Sequence, residues 1–225
     1  MSKMKSLMFG LIAALLMTLA ACDTATAPEK PIDTEAPQDQ KDPFWYECNK
    51  FVSANLPRQK PGDYRIVYSL DNQGRPVDVR LPRLGTGSGG NRQPNCQGKV
   101  GNLFEEPKVF DDLNGGHLIG DQFGGWGGRV NLVAQDATLN QTGPWAQIEA
   151  QAAKCSYSAN IQMTGLAIYF PRNASIEPDQ MQLIFLDNST KESKGAKFDN
   201  VADGGPNGAS QATKVINWLE SKGCS

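Results

Sequence analysis

His117 is the only histidine of the chain, and glycines crowd it on both sides: Asn114-Gly115-Gly116-His117-Leu118-Ile119-Gly120-Asp121-Gln122-Phe123-Gly124-Gly125. This stretch constrains the fold more than any other. It leaves room for a short apolar segment at His117-Leu118-Ile119 and a glycine-rich turn, and for no long element. Missing Cβ atoms on either side would let an extended polymer approach the backbone. A neutral imidazole takes a proton from water near pH 7 more readily than other side chains. On this fragment alone, a general base and a histidine satisfied by a backbone hydrogen bond are both open.

The first residues speak to compartment. Lys3 and Lys5 precede an apolar run from Leu7 to Ala21, which ends in Leu19-Ala20-Ala21-Cys22. The run is short for a bilayer span, which needs about 20 apolar residues. A basic start, an apolar middle and small residues before a cut describe an export signal over residues 1–21. The ending resembles the bacterial lipobox, which implies lipidation of Cys22 as the new first residue and anchoring at the bacterial cell envelope. Asp23 in the next position points to the periplasmic face of the inner membrane.

Residues 22–42 are rich in Pro, Ala, Thr and charge, with six acidic and two basic residues. They bury too little apolar surface to fold and read as a disordered acidic tether. Residues 43–225 then form one domain, balanced at 18 basic and 18 acidic residues. Its charge is uneven: Arg58, Lys60, Arg65, Arg75, Arg80, Arg83, Arg92 and Lys99 face three acidic residues over the same span, a net +5. That stretch is either a polyanion-binding face or a solvated loop region. Four cysteines remain after Cys22. Their wide spacing, without a CxxC pair, argues for two disulfides rather than zinc. The terminal segments both look helical, so the expected pairing is Cys48–Cys224 and Cys96–Cys155.

The elements read as α+β, with an antiparallel sheet and flanking terminal helices. Phe44 to Ala54 is expected as a helix, Tyr64 to Leu70 and Arg75 to Leu81 as a hairpin about Asp71-Asn72-Gln73-Gly74, and Leu84 to Gly98 as a loop. Arg129 to Val133 reads as a strand and Pro144 to Lys154 as a helix. Ala159 to Phe170 and Met181 to Leu186 read as strands. Ser210 to Ser221 closes the chain as a helix with Val215, Trp218 and Leu219 on its apolar face.

The chemistry concentrates between His117 and Glu149. After Gly-Gly-His117-Leu-Ile come a glycine-rich turn, Asn131-Leu-Val-Ala-Gln135 and Leu139-Asn140-Gln141. Trp145 and Glu149 follow four residues apart, on one helical face. This order resembles the DNA/RNA non-specific endonuclease family, a branch of the ββα-metal nucleases, in which histidine lies on the first strand of a ββα finger. Asp-x-x-Gly-Arg near Asp71, Lys99-Val100-Gly101 and Phe198-Asp199-Asn200 extend the resemblance over about residues 60–200.

The resemblance implies an enzyme that cleaves phosphodiester bonds in DNA and RNA and leaves 5′-phosphate ends. His117 would be the general base. Asn140 would bind a divalent cation, Mg2+ or another such as Mn2+, whose shell is otherwise water and phosphate oxygen. Glu149 would hold a water of that shell, and Asn131 would orient the finger or the scissile phosphate. Two departures stand out. Many members carry Arg where this chain has Gly115, so Arg92 and Arg129 become the candidate phosphate clamps. Thr142 adds a residue before Trp145, which would rotate Glu149 relative to Asn140. The alternative is a non-catalytic nucleic-acid-binding or structural lipoprotein on the same scaffold.

Overall fold

Asp71 organises the turn at one edge of the sheet. Its carboxylate accepts the backbone N–H groups of Gln73 and Arg75, each at 2.9 Å, and Gly74 supplies a φ of 72° that a side chain would strain. Strands β1 (Val67–Leu70) and β2 (Pro76–Leu81) thereby pair antiparallel, as the alternation predicts. The structure is a computed structural model, and it describes residues 66–85, 92–103 and 112–225. The export signal, the tether, Cys22, Cys48 and the helix expected at 44–54 lie outside the described residues.

Three further strands complete this sheet: β5 (Ile161–Ile168), β6 (Gln180–Asp187) and β7 (Ser193–Asp199). The order is β1-β2-β5-β6-β7, antiparallel throughout. Register puts Leu81 opposite Met163, Met163 opposite Phe185, and Met181 opposite Phe198, so their side chains share one buried face. β7 was not expected from the sequence. Only Ala196 and Phe198 point inward there, while Ser193, Gly195 and Lys197 are exposed on the other side.

A separate two-stranded ribbon, β3 (Leu113–His117) with β4 (Leu132–Asp136), lies over that buried face. Contact is close at one point. A Cβ added to Gly165 in β5 would lie 2.1 Å from the Leu118 carbonyl oxygen, so only glycine lets the ribbon cross there. Four helices are described: α1 (Pro94–Gly101), α2 (Ala137–Gln141), α3 (Pro144–Ala152) and α4 (Gly208–Ser221). The shared core joins Leu118, Ile119, Val133, Leu139, Trp145 and Ile148 to the sheet, and Val215 and Leu219 of α4 fill it. Trp218, expected beside them, is half-buried.

Several expectations need correction. Residues 94–98, read as loop, belong to α1. Its intrinsic propensity is poor, but Pro94 suits a first turn, and Cys96 and Val100 pack on Leu132 and Ile176. Residues Arg129–Asn131 form a 3-10 turn, and the strand begins only at Leu132. The disulfide pairing is also different. Cys155 bonds Cys224, joining the end of the α3 segment to the chain's end; Cys96 is disulfide-bonded elsewhere. Both buried sulfurs of the first bond belong to the core where α3 meets α4, which sequence spacing does not reveal.

Candidate active site

Two strands and two short helices form a ββα finger. His117 ends β3 opposite Leu132, and Asp136 ends β4 by capping α2: its carboxylate accepts the Leu139 N–H at 2.9 Å. The Thr142 insertion falls in the corner between α2 and α3. Pro144 then opens α3, and Glu149 follows one helical turn after the buried Trp145.

The glycines before His117 were expected to leave the backbone open, and instead their space is filled by neighbouring residues. A Cβ on Gly115 would meet the Gln97 carbonyl of α1 at 2.3 Å, and one on Gly116 would meet Gln135 Oε1 at 2.0 Å. Gln97 Nε2 also donates to the Gly115 carbonyl at 3.3 Å. The position before the Gly-His pair is therefore packed against the backbone of α1.

A cleft of about 610 Å³ lies between α1 and the finger. His117, Asn140 and Glu149 all line it, together with Arg92, Asn114, Asp121 and Gln122. The extra residue at Thr142 thus does not turn Glu149 away. Arg92 Nε lies 3.7 Å from Asp121 Oδ2, beside the same cleft.

Burial tunes both titratable groups. His117 is only 7% exposed, and desolvation, with the positive charge of Arg92, lowers its pKa to about 4; Asp121 opposes the shift. The ring is therefore neutral at pH 7. Glu149 is half-buried as a residue, yet its Oε1 is out of contact with solvent. Desolvation pushes its carboxyl up to about 8, against the opposing pull of the nearby Gly120 N–H and Gln122 and the charge of Arg92.

Asn131 is fully buried. Its Oδ1 accepts the Ile119 N–H at 3.0 Å, and its Nδ2 donates to the carbonyls of Ile119 (2.9 Å) and Trp126 (2.8 Å). It ties the glycine-rich turn to the finger and is not among the residues that line the cleft. Arg129 stands apart from the cleft. Its guanidinium lies under Gly74, where Asp71 and Tyr169 act on it. Arg58, Lys60 and Arg65 of the basic stretch lie outside the described residues. Among the described ones, Arg75 is buried against Asp71, Asn173 and Ser175, Arg83 stacks on Tyr157, and Arg92 lines the cleft.

Among the described residues, no three His, Cys, Asp or Glu side chains converge as a cation cluster. The cleft nevertheless fits a hydrated divalent ion. Glu149 Oε1 and His117 Nε2 are buried without a hydrogen-bond partner, and Asn140 contributes a neutral oxygen. Sequence reasoning missed the cap at Asp136, although an Asp three residues before Leu139 is a helix-start signal. It also missed Gln97, for which no local signal exists.

The family model for DNA/RNA non-specific endonucleases matches residues 54–184, more than half of the chain and the whole of this finger. Compared with curated proteins, the chain finds no match.

Proposed function

This chain belongs to the DNA/RNA non-specific endonuclease family, and we propose that it hydrolyses phosphodiester bonds in both DNA and RNA at the bacterial cell envelope. Family membership supports nucleic-acid endonuclease activity, and the family is typically dependent on a divalent cation. The observation that carries the finer reading is the meeting of His117, Asn140 and Glu149 in one cleft.

In this reading neutral His117 takes the proton from a water that attacks phosphorus, and the 3′-oxygen leaves, giving 5′-phosphate ends. Asn140 would hold Mg2+ or Mn2+, and Glu149 would orient water in the same cleft. When bound, the cation neutralises phosphate charge and eases departure of the 3′-oxygen. Arg92 holds a phosphate at the mouth of the cleft, in place of the family arginine that Gly115 has no room for. Asn131 keeps the finger in shape. Lipid on Cys22 anchors the enzyme, with Asp23 favouring the periplasmic face of the inner membrane.

Digestion of a supercoiled plasmid and of a long RNA with Mg2+, with and without chelator, tests the reading. His117→Ala should retain the fold and lose nearly all cleavage of both. Cleavage at the parental rate by that variant refutes the assignment of His117.

A further inference from the structure

The outer edge of β4 pairs with no further strand: the Ile176 carbonyl accepts the Ala134 N–H at 3.4 Å, and the Asn200 side chain takes the next two positions. Asn200, one residue beyond β7, receives the Asp136 N–H on Oδ1 at 2.9 Å and donates from Nδ2 to the Ala134 carbonyl at 3.0 Å. A residue on a parallel neighbour would contact these two positions in the same way, with its N–H on one carbonyl and its C=O on the N–H two residues further on. A carboxamide carries a donor and an acceptor on one planar group, spaced as a peptide's are.

This bond pair reaches the finger at a critical point. Asp136, held by its N–H, is the cap of α2, and Asn140 lies in that helix. The loop after Asn200 braces the next corner as well. A Cβ on Gly143 would lie 2.9 Å from the Ala202 carbonyl oxygen, and one on Gly208 would lie 3.4 Å from Pro144 Cγ. The strut therefore spans from the end of β4 to the start of α3, on both sides of Asn140.

We propose that Asn200 is a positioning residue for the divalent cation: it fixes the Asp136 cap and so sets where the Asn140 amide stands relative to Glu149 and His117. The inference rests on the reading of Asn140 as the cation's protein ligand. A residue that acts through a ligand in this way changes cation affinity by about tenfold when removed. It should leave the proton transfer at His117 untouched.

The test is Mn2+ binding to the metal-free full-length protein in detergent, read as loss of the free-ion electron spin resonance signal. It is paired with the Mg2+ dependence of plasmid cleavage. Asn200→Leu should weaken Mn2+ binding about tenfold and raise the half-saturating Mg2+ by a similar factor. Its rate at saturating Mg2+ and its acid limb should match the parent. Asn200→Asp keeps the acceptor for Asp136 and loses the donor, so it should fall between, and it decides the matter alone if Asn200→Leu does not fold. Val215→Ala, in the buried face of α4, supplies loss of stability without loss of the strut and should bind Mn2+ as the parent does. Unchanged Mn2+ binding in the Asn200 variants, or equal weakening in Val215→Ala, overturns the proposal. If Asn140→Ala also binds Mn2+ like the parent, it is the cation reading itself that fails.

Discussion

Burial opposes the charge on Glu149, so Glu149→Gln should stabilise the cation-free protein while removing its activity. The carboxyl is raised from 4.5 to about 8. Between those values the folded state binds more protons than the unfolded state, so stability falls as pH rises. At pH 7 the unfolded chain has an ionised Glu149 and folding must protonate it, which costs about 3 kcal/mol; at pH 5 the cost is about 1 kcal/mol. Gln has no such dependence, but burying its amide costs about 1 kcal/mol. The variant should thus be more stable than the parent by about 2 kcal/mol at pH 7 and no more stable at pH 5. Urea unfolding with chelator present reads this as a midpoint shift of about 1 M at pH 7. Added Mg2+ should narrow the gap, because a nearby cation favours the carboxylate. No stabilisation at pH 7, or the same stabilisation at both pH values, refutes the reasoning.

A base whose pKa lies near 4 should keep its activity well below pH 6.5, where an ordinary histidine is half protonated. Arg92→Ala removes one cause of the depression, so the acid limb of kcat/KM should move upward; a limb that stays put counts against Arg92 acting on His117. The same depression means that the stability linked to His117 is complete above pH 6.5 and is lost as pH falls through about 4, an effect that His117→Ala should remove. Gly115→Arg should destabilise by about 3 kcal/mol or more, because its Cβ meets the Gln97 backbone. Greater activity with an unchanged melting temperature would show that α1 is not where the structure has it. Mass mapping of an unreduced digest should yield a Cys155–Cys224 peptide. With a sequence separation of 69, its loss should cost about 4 kcal/mol in the chain-entropy treatment. A Cys96–Cys155 peptide rules that pairing out.

Much of the site was legible because its signals are local. The Asp71 turn, the Pro144 helix start and the alternation in β5 and β6 depend on residues a few positions apart. So does the order of His117, Asn140 and Glu149, which a resemblance can match position by position. Element limits were less legible. The step from Arg129 to Leu132 is a 3-10 turn because Asn131 spends its side chain on Ile119 and Trp126, a tertiary fact.

Sequence alone therefore determined the class of the fold, since backbone propensity and side-chain type are properties of short segments, and its resemblance to the family marked the finger. Tertiary structure decided which residues meet. It put Arg92 at the cleft and Arg129 under Gly74, two arginines that composition treats alike. It joined Cys155 to Cys224, and it made α1 from a segment of weak propensity by packing Cys96 and Val100 on Leu132. It lowered the pKa of His117 and raised that of Glu149, because the cost of desolvating a charge depends on every atom packed around it, and those atoms come from distant parts of the chain.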